Sequence, residues 1–178
     1  MQVLPDKVEV VSGALVKYKG LFDFTGLYQM MRGWFEKNRF EFHEKLYKDK
    51  YFSPFGSETE IDWLAERKVS EYVKYEIKVF IHTWDMKEIE VVENGQKKKM
   101  TRARMTITLG GNVYLDYGGI FDKKKGRFVN LLGNILKKAR RREIEIQYLA
   151  PLEDNVFMLQ TEIKKYLNMQ GKEQAYYW

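Results

Sequence analysis

The side chains able to do chemistry are few, and most fail on spacing. The chain has two histidines and no cysteine, which removes thiolate metal sites, disulfides, iron–sulfur clusters and cysteine nucleophiles together. His43 stands in His43-Glu44-Lys45-Leu46-Tyr47, one residue short of the His-Glu-x-x-His pattern, and the missing histidine is a ligand the zinc chemistry needs. The run also reads as a strand, where positions i and i+4 lie about 13 Å apart. His43 is therefore expected to be a solvent-facing strand residue, with no metal role. His82 lies between Phe80 and Trp84 on one strand face, where an imidazole serves either as a tuned acid or base or, more simply, as a hydrogen-bonded core residue. Glu58, Glu60 and Asp62 cluster, with Asp116 further on. Paired carboxylates suit acid–base work or a hard cation, but at alternate positions of an edge strand they equally make a solvated face that discourages edge pairing. Neither Gly-x-x-x-x-Gly-Lys-Ser/Thr nor Gly-x-Gly-x-x-Gly occurs, so nucleotide-dependent catalysis lacks its phosphate cradle. No cofactor and no catalytic residue follow from these patterns, and the expectation is a protein that is not an enzyme.

Binding signals are stronger. Lys123, Lys124, Lys125, Arg127, Lys137, Lys138, Arg140, Arg141 and Arg142 form a basic segment without an acidic residue. The other 22 basic residues face all 25 acidic ones, so a body of net charge −3 carries one concentrated cationic element, and the total is +6. Such a segment with nearby aromatic rings suits nucleic acid, because cations neutralise phosphates and rings stack on bases. Cations closing a helix also complement its dipole, which is the plainer account of Lys137 to Arg142. The tail Tyr176-Tyr177-Trp178 either packs back on the domain or anchors a partner.

These residues need elements to position them. The chain has 178 residues, of which 44% are hydrophobic, enough for one self-sufficient core. No repeat or linker divides it, so residues 1–171 read as one domain and 172–178 as an aromatic tail. The N-terminus lacks the basic-then-apolar order of a signal peptide, and the longest stretch free of charged residues, Met105 to Leu115, is too short to span a bilayer. A cytoplasmic location without a membrane span is expected.

Ala14 to Lys19 alternates as a first strand. Leu27, Met30, Met31, Trp34 and Phe35 then fall on one helical stripe, with Asp23 or Thr25 placed to cap its start and Asn38 suited to a left-handed stop. Gly26 and Gly33 within it predict close approach to a sheet. A strand from Phe40 to about Tyr47 precedes a loop over Tyr51 to Ser57. Ile61 and Trp63 alternate in the next strand, and Tyr72 to Trp84 is the clearest strand of all, with Val73, Tyr75, Ile77, Val79 and Ile81 on one face. Asn94-Gly95 is a hairpin signal, since a type I′ turn needs positive φ at both central residues. That turn predicts Asp85 opposite Arg104, Thr83 opposite Thr106, Trp84 opposite Met105, His82 opposite Ile107 and Phe80 opposite Leu109, unless a bulge intervenes. Large side chains on both faces of Val79 to Trp84 predict cover on both, and Phe80, His82, Trp84 and Met105 are expected to line a pocket for a hydrophobic ligand behind the curved sheet. Gly110-Gly111 and Gly118-Gly119 bracket a further short strand. Phe128, Leu131, Leu132, Ile135 and Ala139 recur at helical spacing. Arg142 to Tyr148 is read as helix despite its alternation, and a final helix runs from Pro151 to a stop at Gly171.

This order predicts an α+β fold, a curved antiparallel sheet of about five or six strands packed on an N-terminal helix and C-terminal helices. It is similar in topology to the helix-grip arrangement of START-like ligand-binding domains. The runs Trp34-Phe35, Phe42-His43-Glu44-Lys45, Arg67-Lys68-Val69-Ser70-Glu71-Tyr72-Val73-Lys74, Trp84-Asp85-Met86-Lys87 and Val113-Tyr114-Leu115-Asp116-Tyr117 together resemble a group of small uncharacterised archaeal proteins. That resemblance covers most of the chain and implies an archaeal cytosolic origin without an activity. The leading expectation is a non-enzymatic binding or assembly protein acting through the basic segment and the tail, with a protein partner or a homo-oligomer. Alternatives are an RNA- or DNA-associated factor using the same segment, and a hydrophobic-ligand carrier.

Overall fold

The computed structural model describes residues 6–53, 56–93, 96–118 and 141–169. Five strands, β1 (Lys7–Phe22), β2 (Glu41–Ser53), β3 (Gly56–Lys68), β4 (Val73–Glu93) and β5 (Gln96–Leu115), form one antiparallel sheet in the order β1-β5-β4-β3-β2. Helix α1 (Phe24–Lys37) connects β1 to β2. A second helical run comprises α2 (Arg141–Ile144), a π-helical turn (Glu145–Leu149) and α3 (Ala150–Tyr166).

The order explains the helix. β2 to β5 is a meander, but β1 pairs with β5, so the chain must cross the whole sheet between its first two strands. Four inter-strand spacings are about 19 Å. The 14 residues of α1 rise about 21 Å, the length required.

The sheet buries one face. Val73, Tyr75, Ile77, Val79 and Ile81 of β4 join Ile61, Trp63 and Ala65 of β3 and Met105, Ile107, Leu109, Val113 and Leu115 of β5. Against them lie Leu27, Met31 and Phe35 of α1 and Leu152, Val156, Leu159 and Ile163 of α3, all buried. A Cβ on Gly111 would stand 3.0 Å from Val156 Cγ2, so glycine is what lets α3 lie directly on β5.

Some sequence expectations hold and others are corrected. The five strands of the described sheet agree with the five or six expected, but Gly110-Gly111 does not mark off a separate short strand, because β5 runs unbroken through it. The predicted loop over Tyr51 to Ser57 is much shorter, since β2 extends to Ser53 and β3 starts at Gly56. Asp23 caps α1, its carboxylate accepting from the Gly26 N–H at 2.9 Å. Asn38 is the C-cap but keeps φ at −89°, and Arg39 takes the left-handed conformation instead, with φ of 59°. A Cβ on Gly26 would collide with the Tyr166 hydroxyl, so its close approach is to α3, and a Cβ on Gly33 would touch nothing. The final helix stops at Tyr166 rather than at Gly171, and Asn168 takes the left-handed conformation, with φ of 54°. Residues 142–148 are helical. Pro151 removes an N–H from the helix that passes through it, and the chain accommodates this by widening just before, where the Ala150 N–H donates to the Glu145 carbonyl.

The largest correction is to the β4–β5 register. From Glu93 opposite Gln96 to Lys87 opposite Arg102 the pairing follows the hairpin turn as predicted. Asp85 and Met86 then oppose Ala103 alone, a bulge with Asp85 at φ 54°. Every pair beyond it moves by one: Trp84 opposes Arg104, Thr83 opposes Met105, His82 opposes Thr106 and Phe80 opposes Thr108. A one-residue slip exchanges the two faces.

Candidate functional site

The slip decides which residues of β5 the aromatic residues of β4 lie beside. Phe80, His82 and Trp84 point away from α1 and α3, in line with Thr108, Thr106 and Arg104 of β5. Met105 is 1% exposed in the core on the opposite face, so it does not join Phe80, His82 and Trp84 in the pocket expected of the four. Among the described residues the outward face lacks the cover that the two-sided apolar pattern predicted: Phe80 is 41% exposed, and no described helix packs over it.

On that face the side chains form a file. The Phe80 and His82 ring centroids are 6.1 Å apart edge to face, and His82 lies on Trp84 at 3.9 Å with a 34° tilt. The Arg104 guanidinium stands 6.0 Å from the Trp84 ring, and its Nε donates to Asp85 Oδ2 at 2.8 Å. The predicted Asp85–Arg104 ion pair thus forms across the bulge although the two residues are not register partners. The neighbouring outward positions of β5 and β1 carry Arg102, Lys17 and Lys19, all exposed. Beside Phe80 the face dips into an open depression of about 470 Å3, bordered by Lys7, Glu9, Lys78, Thr108 and Asn112.

On the β3 side the file meets carboxylates. Glu60 is the register partner of His82, and Glu58 lies two positions along on the same face. His82 Nε2 is 2.6 Å from Glu58 Oε1 and 3.8 Å from Glu60 Oε1. From edge strand β2, Lys50 Nζ reaches Glu60 Oε1 at 2.9 Å and Glu58 Oε1 at 3.6 Å. Hydrogen bonding to Glu60 raises the Lys50 pKa, and the same bond lowers that of Glu60. His82 is therefore paired with an acid from the neighbouring strand. The Glu58–Glu60 cluster was legible as an i, i+2 pattern, but its union with His82 and Lys50 depends on the β2–β3–β4 register, which no local spacing reveals.

A second polar group lies at the other end of the outward face. Glu76, nearly buried, accepts from Asn112 Nδ2 at 2.9 Å and from the Tyr114 hydroxyl at 3.2 Å, with Lys7 and Lys74 over the Tyr114 ring. On the core side, Glu44 accepts from the Tyr28 hydroxyl at 2.7 Å and Trp63 Nε1 at 3.1 Å. His43 is half-buried and 3.6 Å from Glu41.

Of the other predicted residues, Lys123, Lys124, Lys125, Arg127, Lys137, Lys138, Arg140, Tyr176, Tyr177 and Trp178 lie outside the described residues, as does the Arg141 side chain. Arg142 is exposed. No described helix is long and apolar enough to cross a membrane. No family model matches the chain, and no curated protein matches it.

Proposed function

We propose that the protein is a cytoplasmic, non-enzymatic binding protein that holds single-stranded nucleic acid on its open sheet face. The observation that carries this reading is the file Phe80, His82 and Trp84 at alternate positions of the central strand, flanked by Lys17, Lys19, Arg102 and Arg104. Rings on a sheet give bases a stacking platform, and cations along one side track the backbone. The acids on β3 repel phosphate, which biases the backbone toward β5 and β1 and leaves the bases over β4. The segment Lys123 to Arg142 adds positive charge to this scheme, as its composition suggests.

The test is fluorescence anisotropy with a short labelled oligothymidine or oligouridine at low and moderate salt. Binding should weaken steeply with salt. Trp84→Ala and Phe80→Ala should each lose about 1 to 3 kcal/mol of affinity, while Lys17→Gln with Lys19→Gln should flatten the salt dependence. No binding at low salt, or binding untouched by both ring variants, overturns the reading.

A second reading, assembly through the aromatic tail, is favoured by Phe157 and Met158. They are 44% and 51% exposed on α3, the helix that precedes the tail. Deleting residues 172–178 should lower the oligomeric mass in light scattering and leave the thermal midpoint unchanged. A monomer that loses stability on truncation would show the tail to be an intramolecular clasp.

A further inference from the structure

We propose that Glu58, Glu60 and His82 form a binding site for a first-row divalent transition-metal ion, with Zn2+ as the representative. The three donor atoms, one imidazole nitrogen and two carboxylate oxygens, lie within 4.8 Å of one another. Zinc bonds to such donors are about 2.0 to 2.2 Å long, which sets neighbouring donors roughly 3.4 Å apart in a tetrahedral centre. The observed separations from His82 Nε2, 2.6 Å to Glu58 and 3.8 Å to Glu60, bracket that value, so small side-chain rotations complete the geometry.

The donors are also held in place. Glu60 and His82 are direct partners in the β3–β4 ladder, and Glu58, at the next outward position, falls at that ladder's irregularity but pairs with Lys50 of β2, so all three project from strands rather than from a loop. The imidazole lies against Trp84 on one side and Phe80 on the other, which fixes the ring with Nε2 directed at the carboxylates. An imidazole ligand favours zinc and its neighbours over magnesium or calcium, which prefer all-oxygen sites. Three protein ligands leave a fourth position for water.

Lys50 lies against the same site. Its ammonium contacts the same two carboxylates, so it competes with the ion for their charge and must swing aside on its flexible stem when the metal binds. The inference is independent of the nucleic-acid reading, because neither the metal nor its binding assay involves an oligonucleotide.

Isothermal titration of Zn2+ into the metal-free full-length protein tests it, with circular dichroism confirming that each variant is folded. One saturable site is expected in the wild type and in His43→Ala, with no saturable Mg2+ binding over the same range. His82→Ala and Glu60→Gln should each weaken Zn2+ binding by more than about tenfold. Lys50→Met should tighten it. The proposal is overturned if the wild type shows no saturable Zn2+ site, if His82→Ala binds as well as the wild type, or if Lys50→Met binds no more tightly.

Discussion

Tyr28 and Tyr72 show how single residues couple this fold to pH. The Tyr28 titration is pushed up to about 12 by burial first, then by its hydrogen bond to Glu44 and the negative charge there. Burial also pushes Tyr72 up to about 12, with Asp116 and Asp6 adding to it. Unfolded tyrosine titrates near 10, so below that pH both states keep the proton and the stabilisation is fully present. Between about pH 10 and 12 only the folded state still binds it, and stability falls as pH rises through the folded value. Urea midpoints should therefore drop across that window, and Tyr28→Phe should flatten part of the slope. Near-ultraviolet absorbance of the native protein should show Tyr28 and Tyr72 among the late-titrating tyrosines, with Tyr18, Tyr75 and Tyr166 also raised by burial. If all the tyrosines ionise near pH 10 in the folded state, this account is wrong.

The helix α1 poses a prediction at the scale of an element. Two glycines occupy it, and helix propensity alone says that either gains up to about 1 kcal/mol on change to alanine. Their surroundings separate them. A Cβ on Gly33 meets nothing, whereas one on Gly26 meets the Tyr166 hydroxyl of α3 and, at 2.7 Å, the Asp23 carboxylate that caps the helix. Gly33→Ala should raise the thermal midpoint, and Gly26→Ala should lower it or forfeit the gain. Equal shifts for the pair would mean that α1 and α3 do not meet at this point. Periodicity placed α1 and its stripe of Leu27, Met31 and Phe35 correctly, because that pattern is local. It could not say which glycine faces another helix, since Tyr166 lies far along the chain.

At the scale of the whole molecule, the described residues make a sheet with one face packed on helices and one that no described helix covers. Leu159, at the centre of α3 and fully buried, should cost about 2 to 5 kcal/mol on change to alanine, as core truncations do. Phe80→Ala, on the open face, should change stability by no more than about 1 kcal/mol. Denaturant unfolding of the two variants checks this. A large loss for Phe80→Ala would reveal a structural cover over the outward face and remove it as a docking surface. Beyond the bulge the β4–β5 ribbon carries exposed charge pairs such as Lys97–Glu90 and Lys99–Glu88.

Alternation in Val73 to Ile81, the stripes of α1 and α3 and the Asn94-Gly95 turn signal determine the elements and the α+β class without any structure, because each depends on residues within a few positions of one another. The face on which Phe80, His82 and Trp84 emerge is a different matter. One extra residue at Asp85-Met86 shifts the β4–β5 pairing and sets Thr108, Thr106 and Arg104 beside these rings in place of Leu109, Ile107 and Met105, and a bulge leaves little trace in composition because it is stabilised by the strands on either side. The Glu58–Glu60–His82 group likewise exists only once β3 lies against β4 in one register. Tertiary packing decided both, since burying Val79, Ile81 and Thr83 against Leu109, Ile107 and Met105 leaves the alternate positions nowhere to go but out.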